Sequence, residues 1–320
     1  MTPDPRYIYY SASHRECLAQ MTYGVHNRRG FIVITGEVGT GKTTLIRTLM
    51  EKLDENTRVA YLYHAILGAK GLFQSILRDY KIPFDRRDTK TDLMYLLQDF
   101  LFSLEESDEN AVLIIDEAQN LKPHILEEIR LISNIETPKK KLIQLLLVGQ
   151  PEFAKILDRT EVRQLKQRIA LRFHLTRLNR EETEAYVSHR LRVAGYARRN
   201  PLFTRSAIDE IFLNSGGIPR AINIMCDNAL VMGYSVGADQ ITPGIIGKVQ
   251  FSDEYQELNT LSLSDPEEIE IRNISTDNDF PEIVMTEAHA FIEENEDSAF
   301  KKLMKNMMFW RKRQSNIHVT

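Results

Sequence analysis

Residues 36–43 read GEVGTGKT, a complete G-x-x-x-x-G-K-[ST] pattern. Phe31, Ile32, Val33 and Ile34 form a short apolar run of β type just before it, and Leu45, Ile46, Leu49 and Met50 follow with helical spacing. That order matters physically. The backbone N–H groups of the loop and the positive end of the helix dipole converge on one point, where an anion is stabilised. Gly36, Gly39 and Gly41 let the chain curl round phosphates without Cβ clashes. The spacing predicts that Gly36, Glu37, Val38, Gly39, Thr40, Gly41, Lys42, Thr43 and Thr44 hold the phosphates of a nucleoside triphosphate. Lys42 is expected to reach the β- and γ-phosphates, and the Thr43 hydroxyl to ligate Mg²⁺.

The chain has 320 residues, enough to bury a substantial core, with 42% hydrophobic and 27% charged residues, as in ordinary globular proteins. The two cysteines, Cys17 and Cys226, lie far apart in apolar helical contexts, which fits a reducing, cytosolic compartment. The start, MTPDPRYIYY, lacks the basic and apolar regions of a signal peptide, and no stretch approaches 18 uninterrupted apolar residues. The net charge of −4 conceals an asymmetry: residues 251–320 carry 15 acidic and 7 basic residues, and residues 1–250 carry 30 acidic and 34 basic ones. The acidic block 251–297 reads as a solvated flexible segment.

Outward from the loop, apolar runs and helical patterns alternate. Ser13-x-x-Glu16 is a capping-box pattern for a helix running through Leu18 and Met21 towards Val25. Strands are expected at 31–35, 58–63, 112–115, 142–148 and 171–175, and helices at 70–80, 92–102, 121–135, 151–157 and 161–167. Such alternation predicts an α/β fold, a parallel sheet covered by helices on both faces. After Arg177 only helical patterns remain, capped by Asn179 (with Glu182) and Thr204, and opened by Pro219 and by Thr242-Pro243. The organisation read from the chain is a nucleotide-binding core over 1–177, an all-helical lid over 178–250, an acidic flexible linker over 251–285, and an amphipathic basic helix and tail over 286–320.

Four features carry chemistry beyond binding. The run Val112–Ile115 ends in Asp116 and Glu117. In a doubly wound sheet its tip lies beside the phosphate loop, so Asp116 is expected at Mg²⁺ and Glu117 as the group that orients and deprotonates the attacking water. Strand alternation would send the two side chains to opposite faces. Gln150, after the 142–148 run and Gly149, can hydrogen-bond the γ-phosphate or the lytic water; the alternative is a plain post-strand turn. Arg163 and Arg168 precede the fifth run, and an arginine supplied across a subunit boundary can stabilise transferring charge. Either could instead be a solvated helix charge. Arg220, in the first turn of the helix opened by Pro219, is disfavoured there by the helix dipole, which points to a role at phosphate.

The segments GEVGTGKT, DEAQN, RLISNIET, LLLVGQPE, LKQRIALRFHL and SGGIPRAINIMCDNAL, in that order, resemble the ExeA/GspA-type secretion-associated ATPases of the AAA+ class, with cousins encoded at exosortase polysaccharide loci. The similarity covers about residues 2–250. It implies an αβα AAA+ core with a helical lid, ATP hydrolysis with Mg²⁺, Gln150 as sensor 1, Arg220 as sensor 2, and Arg168 (Arg163 second) as a trans-acting finger in a homo-oligomer. It also implies a protein partner in secretion or envelope assembly. Family members carry a membrane span and a peptidoglycan-binding region after the ATPase; neither is read in this chain, which favours the exosortase-locus cousins or a stand-alone regulator.

The eight histidines do not pair with Cys or Asp at metal-ligand spacing, so zinc is not expected. Phe300, Leu303, Met304, Met307, Met308 and Trp310 alternate with six basic residues over 298–313. That pattern suits weak peripheral contact with anionic lipid at the inner face of the membrane, or docking on the protein's own body. The main competitor to an ATPase motor or switch is a DNA-associated regulator of the transposition or origin-binding type. The near-neutral 1–250 region, with no basic stripe, argues against nucleic acid. A scaffold that binds ATP without turnover is disfavoured by Glu117.

Overall fold

The computed structural model describes residues 7–63, 68–138 and 140–249. The acidic linker and terminal basic helix expected after 250 lie outside the described residues, as does the lipid contact assigned to 298–313. Five strands, β1 (Phe31–Gly36), β2 (Thr57–Leu62), β3 (Asn110–Ile115), β4 (Ile143–Gly149) and β5 (Ile169–Leu175), form one parallel sheet in the order β2-β3-β4-β1-β5. The three central strands are buried along their whole length, whereas edge strand β5 alternates in and out. Central strands of a doubly covered sheet have no solvent face, so they read as continuous apolar runs.

Residue parity along each strand sorts the core into two layers. Ile32, Ile34, Val112, Ile114, Leu146 and Val148 face α1 (Ala12–His26) and α2 (Lys42–Lys52) through Cys17, Leu18, Met21, Leu45 and Leu49. Phe31, Val33, Leu113, Ile115, Leu145 and Leu147 face the opposite layer of α3 (Ala69–Asp79), α4 (Lys90–Glu106), α5 (Pro123–Ile132), α6 (Pro151–Leu157) and the single turn α7 (Arg163–Lys166). A period of two across the sheet and of 3.6 along the helices builds both interfaces from the same strands. The chain spends its volume on a three-layer αβα unit.

The observed elements depart from the sequence expectation where local chemistry competes. Helix α1 starts earlier than the Ser13 box implies, because Ser11 is its cap and accepts the His14 N–H. The Ser13 hydroxyl instead accepts the Thr176 N–H at 3.1 Å, tying α1 to the end of β5. The helix expected over 161–167 is a 3₁₀ turn, Thr160–Val162, followed by α7.

A second unit comprises residues 179–217 and 221–249, and Ile218–Arg220 cluster with the sheet-containing unit. It holds α8 (Arg180–Val193), α9 (Arg205–Ser215), α10 (Pro219–Ser235) beyond its first residues, and α11 (Pro243–Val249). Asn179 and Glu182 form a reciprocal capping box on α8, Thr204 caps α9, and Gly216 in the left-handed region ends it. A short parallel bridge, Phe203 to Ile241, joins the segments before α9 and α11.

Candidate nucleotide site

The site begins where β1 leaves the sheet. Gly39 (φ +79°) and Gly41 (φ +100°) take left-handed conformations that let the loop turn back on itself before α2. Gly41 caps α2 without any side-chain bond to the first-turn amides, and no acid sits in that turn. These uncapped N–H groups are the donors an anion would use. Thr40 is fully buried, and its hydroxyl donates to the Glu37 carbonyl at 2.8 Å. Val38 is half exposed, and the Thr44 carbonyl accepts the Thr48 hydroxyl one turn along α2.

Lys42 is only 8% exposed. Its Nζ donates to the Gly36 and Glu37 carbonyls at 2.7 and 2.9 Å, so its head lies inside the loop. Burial holds its ammonium below the ordinary lysine range, partly offset by the carboxylates of Glu117, Asp116, Glu37 and Glu152. An incoming polyphosphate would replace neutral carbonyls with full negative charge and favour the charged amine.

The tip of β3 supplies the acids. Asp116 is 1% exposed; its Oδ2 accepts the Thr43 hydroxyl at 2.9 Å and the Tyr61 hydroxyl at 3.1 Å, and its Oδ1 accepts the Glu117 N–H at 2.9 Å. A hydroxyl and a carboxylate meeting at this distance form the hard-oxygen pair that suits Mg²⁺, so the residues present fit that ion. The strand ends at Ile115, before either acid, and Glu117 takes a left-handed conformation (φ +53°).

Glu117 is met by two amides. Its Oε2 accepts Gln119 Nε2 at 2.5 Å and Gln150 Nε2 at 3.3 Å, while Gln119 Oε1 accepts the Gln150 backbone N–H at 3.1 Å. Gln119 therefore bridges the tips of β3 and β4. Room for it depends on Gly149, where a Cβ would lie 3.1 Å from Gln119 Oε1 and 3.0 Å from the Phe153 Cβ. Gln150 reaches the site, as its position after β4 implies, with Glu117 as its protein partner.

The Arg220 N–H donates to the Gly39 carbonyl at 3.2 Å, and a Cβ on Gly39 would lie 2.6 Å from the Arg220 Cβ. On the other side, Arg177 pairs with Glu37 at 3.3 Å. Arg168 is not brought to this loop. It precedes Ile169, whose register partner Phe31 lies at the far end of β1 from Gly36. Its Nη1 donates to the Ser133 hydroxyl at 3.0 Å. Arg163 is exposed on α7, in a concave surface with Arg159 and Lys166.

Sequence reasoning missed Tyr61, Gln119 and His14. Tyr61 lies inside an ordinary strand run, and Gln119 lies within DEAQN with no signal of its own. His14 shows no metal-ligand spacing; it is 5% exposed, with Nε2 3.0 Å from the Thr40 carbonyl.

An AAA domain family model matches residues 25–157. General secretion pathway protein A of Aeromonas hydrophila is 41% identical over 246 residues, covering 77% of this chain and 45% of that protein. The chain thus spans less than half of that relative's length. Among solved structures, the Aeropyrum pernix ORC2 protein matches with a TM-score of 0.59 and 18% identity, over 82% of this chain and 75% of that one. Cdc6p of Pyrobaculum aerophilum matches with a TM-score of 0.59 and 21% identity, over 77% and 70%. At those identities the two structures establish the fold alone. The parallel order β2-β3-β4-β1-β5, the loop after β1, the AAA domain match and the 41% identity together bear out the resemblance to the GspA/ExeA-type P-loop AAA+ proteins over this part of their length.

Proposed function

We propose that the protein is an Mg²⁺-dependent ATPase that uses hydrolysis as a motor or switch in a secretion or envelope-assembly system. One observation carries the chemistry: an uncapped glycine loop holds a buried Lys42, with the Thr43–Asp116 pair at 2.9 Å and a separately held Glu117 beside it. Loop amides and Lys42 bind the triphosphate, and Arg220 approaches from the Gly39 side. Thr43 and Asp116 would hold the metal, which would supply neutralisation of charge on the phosphates. Glu117 accepts a proton from water as the water oxygen bonds to the γ-phosphorus and the bond to the β-bridging oxygen breaks, giving ADP and phosphate. Gln150 orients Glu117 or the water.

Arg168 serves a neighbouring subunit's nucleotide, with Arg163 as the second candidate. Its position at the far end of β1 supports this, since about five strand residues at roughly 3.3 Å each separate it from its own loop. The secretion partner rests on the Aeromonas relative. Among the described residues no helix is long and apolar enough to cross a membrane. The reading places the protein in the cytoplasm, at the inner membrane face if 298–313 binds anionic lipid.

The deciding experiment is ATP binding and phosphate release by the full chain in magnesium buffer. Lys42→Ala should lose binding. Glu117→Gln should bind normally and turn over slower by about a hundred-fold or more. Wild-type protein that binds neither ATP nor ADP at millimolar levels would overturn the proposal.

A further inference from the structure

His14 lies outside the phosphate loop, on the buried stripe of α1 that continues through Cys17, Leu18, Met21 and Val25. A histidine on such a stripe needs partners for both ring nitrogens. Its Nε2 is 3.0 Å from the Thr40 carbonyl and its Nδ1 is 2.7 Å from the Ser11 hydroxyl. A carbonyl oxygen can only accept, so Nε2 carries the proton, and Nδ1 takes the Ser11 O–H. Ser11 Oγ in turn accepts the His14 N–H, which anchors the ring to the cap of its own helix.

The Thr40 carbonyl and the Gly41 N–H share one trans peptide plane and point in opposite directions. A donor that fixes this carbonyl towards α1 therefore aims the Gly41 N–H away from α1, to the inner side of the loop. Gly41 makes the contact sterically possible: a Cβ there would lie 3.1 Å from His14 Nε2. The Gly41 N–H has no protein acceptor among the described residues.

We propose that His14 is a positioning residue for polyphosphate binding, holding the Thr40–Gly41 peptide so that the Gly41 amide is presented to the phosphates before nucleotide arrives. The proposal rests on the nucleotide-binding reading above. It lets α1, which precedes most of the matched AAA domain, set affinity for the phosphate tail.

The test uses the full chain and calorimetric binding of ADP and of inorganic pyrophosphate with Mg²⁺. Pyrophosphate reports the loop without the base. His14→Met fills the space but has no donor, and should weaken both ligands about tenfold, the size of one lost hydrogen bond. His14→Gln, whose Nε2 can still donate to the Thr40 carbonyl, should stay within about twofold of wild type. Ser11→Ala keeps the ring but frees it, and should fall between. Melting temperatures show that the variants are folded; if His14→Met does not fold, His14→Gln and Ser11→Ala decide. Unchanged affinity in His14→Met, or in Ser11→Ala when that variant must decide, overturns the proposal. So does His14→Gln binding as poorly as a donor-less variant. Wild-type protein that ignores ADP and pyrophosphate would instead sink the nucleotide reading itself.

Discussion

Removing the Gln119 side chain tests whether Glu117, the proposed general base, works because it is held. Gln119→Ala deletes the amide 2.5 Å from Glu117 Oε2 and the acceptor of the Gln150 N–H, leaving only the 3.3 Å bond from Gln150 Nε2 to that carboxylate. A hydrogen bond to a charged group contributes about 1.5–3 kcal/mol. Gln119 is only partly buried, so water recovers some of this, and a loss of about 1.5–2 kcal/mol in the transition state is expected. That is about ten- to thirty-fold in kcat. The phosphate loop is untouched, so the ADP dissociation constant should stay within about twofold, a split that marks an interaction made with the reacting groups. Steady-state phosphate release gives kcat, and calorimetry gives affinity. Gln150→Ala completes a cycle: both amides meet the same oxygen, so the double variant should differ from additivity by about 1 kcal/mol. Unchanged kcat in Gln119→Ala, or strict additivity with Gln150→Ala, would refute the idea that the bridge positions Glu117.

Arg168→Ala should hydrolyse ATP poorly while binding it normally. Mixing it with Glu117→Gln protein should restore part of the activity through hybrid interfaces, and absence of rescue in mixed oligomers would rule out a finger in trans. Gly24→Ala would set a Cβ 2.4 Å from the Ile32 Cδ1 at the packed face of α1. Overpacking of about 1–3 kcal/mol should outweigh the gain of about 1 kcal/mol in helix propensity and lower the melting temperature. Adding Ile32→Val, which deletes that Cδ1 but leaves the Leu171 Cδ1 at 2.9 Å, should recover part of the loss; a stabilised Gly24→Ala would contradict the packing account. Burial pushes the Cys17 thiol up to about 12, with Glu16 adding to the shift. Both states are protonated below about pH 8.5; between there and about 12 the unfolded chain releases a proton that the native state keeps, so stability falls as pH rises. Urea midpoints at pH 8 and pH 10 should separate more for wild type than for Cys17→Ala.

What was legible in the chain was local. The loop 36–43 carries its own glycines and is bounded by a strand and a helix start, so its shape is fixed within about twenty consecutive residues. Continuous apolar runs marked β3 and β4 because a strand buried on both faces shows no polar period. The Asn179–Glu182 box and the Thr204 cap were legible because both partners lie three residues apart. The cap of α1 was misplaced because Ser11 and Ser13 both offer plausible chemistry; Ser13 was claimed by Thr176, 163 residues away. The left-handed turn at Glu117 also escaped the pattern, since regular strand alternation stops at Ile115.

The motifs by themselves determined that this chain folds as a P-loop α/β protein and which residues form the glycine loop between β1 and α2. Only the tertiary structure decided how those residues are held. Tyr61 reaches Asp116 because β2 pairs with β3, Gln119 meets Gln150 because β3 pairs with β4, and His14 reaches Thr40 because α1 lies over the face that α2 shares. Each of these contacts joins residues 26 or more positions apart. Side-chain periodicity says which way a residue faces, but the partner it meets is set by strand order and register, which come from packing the whole sheet.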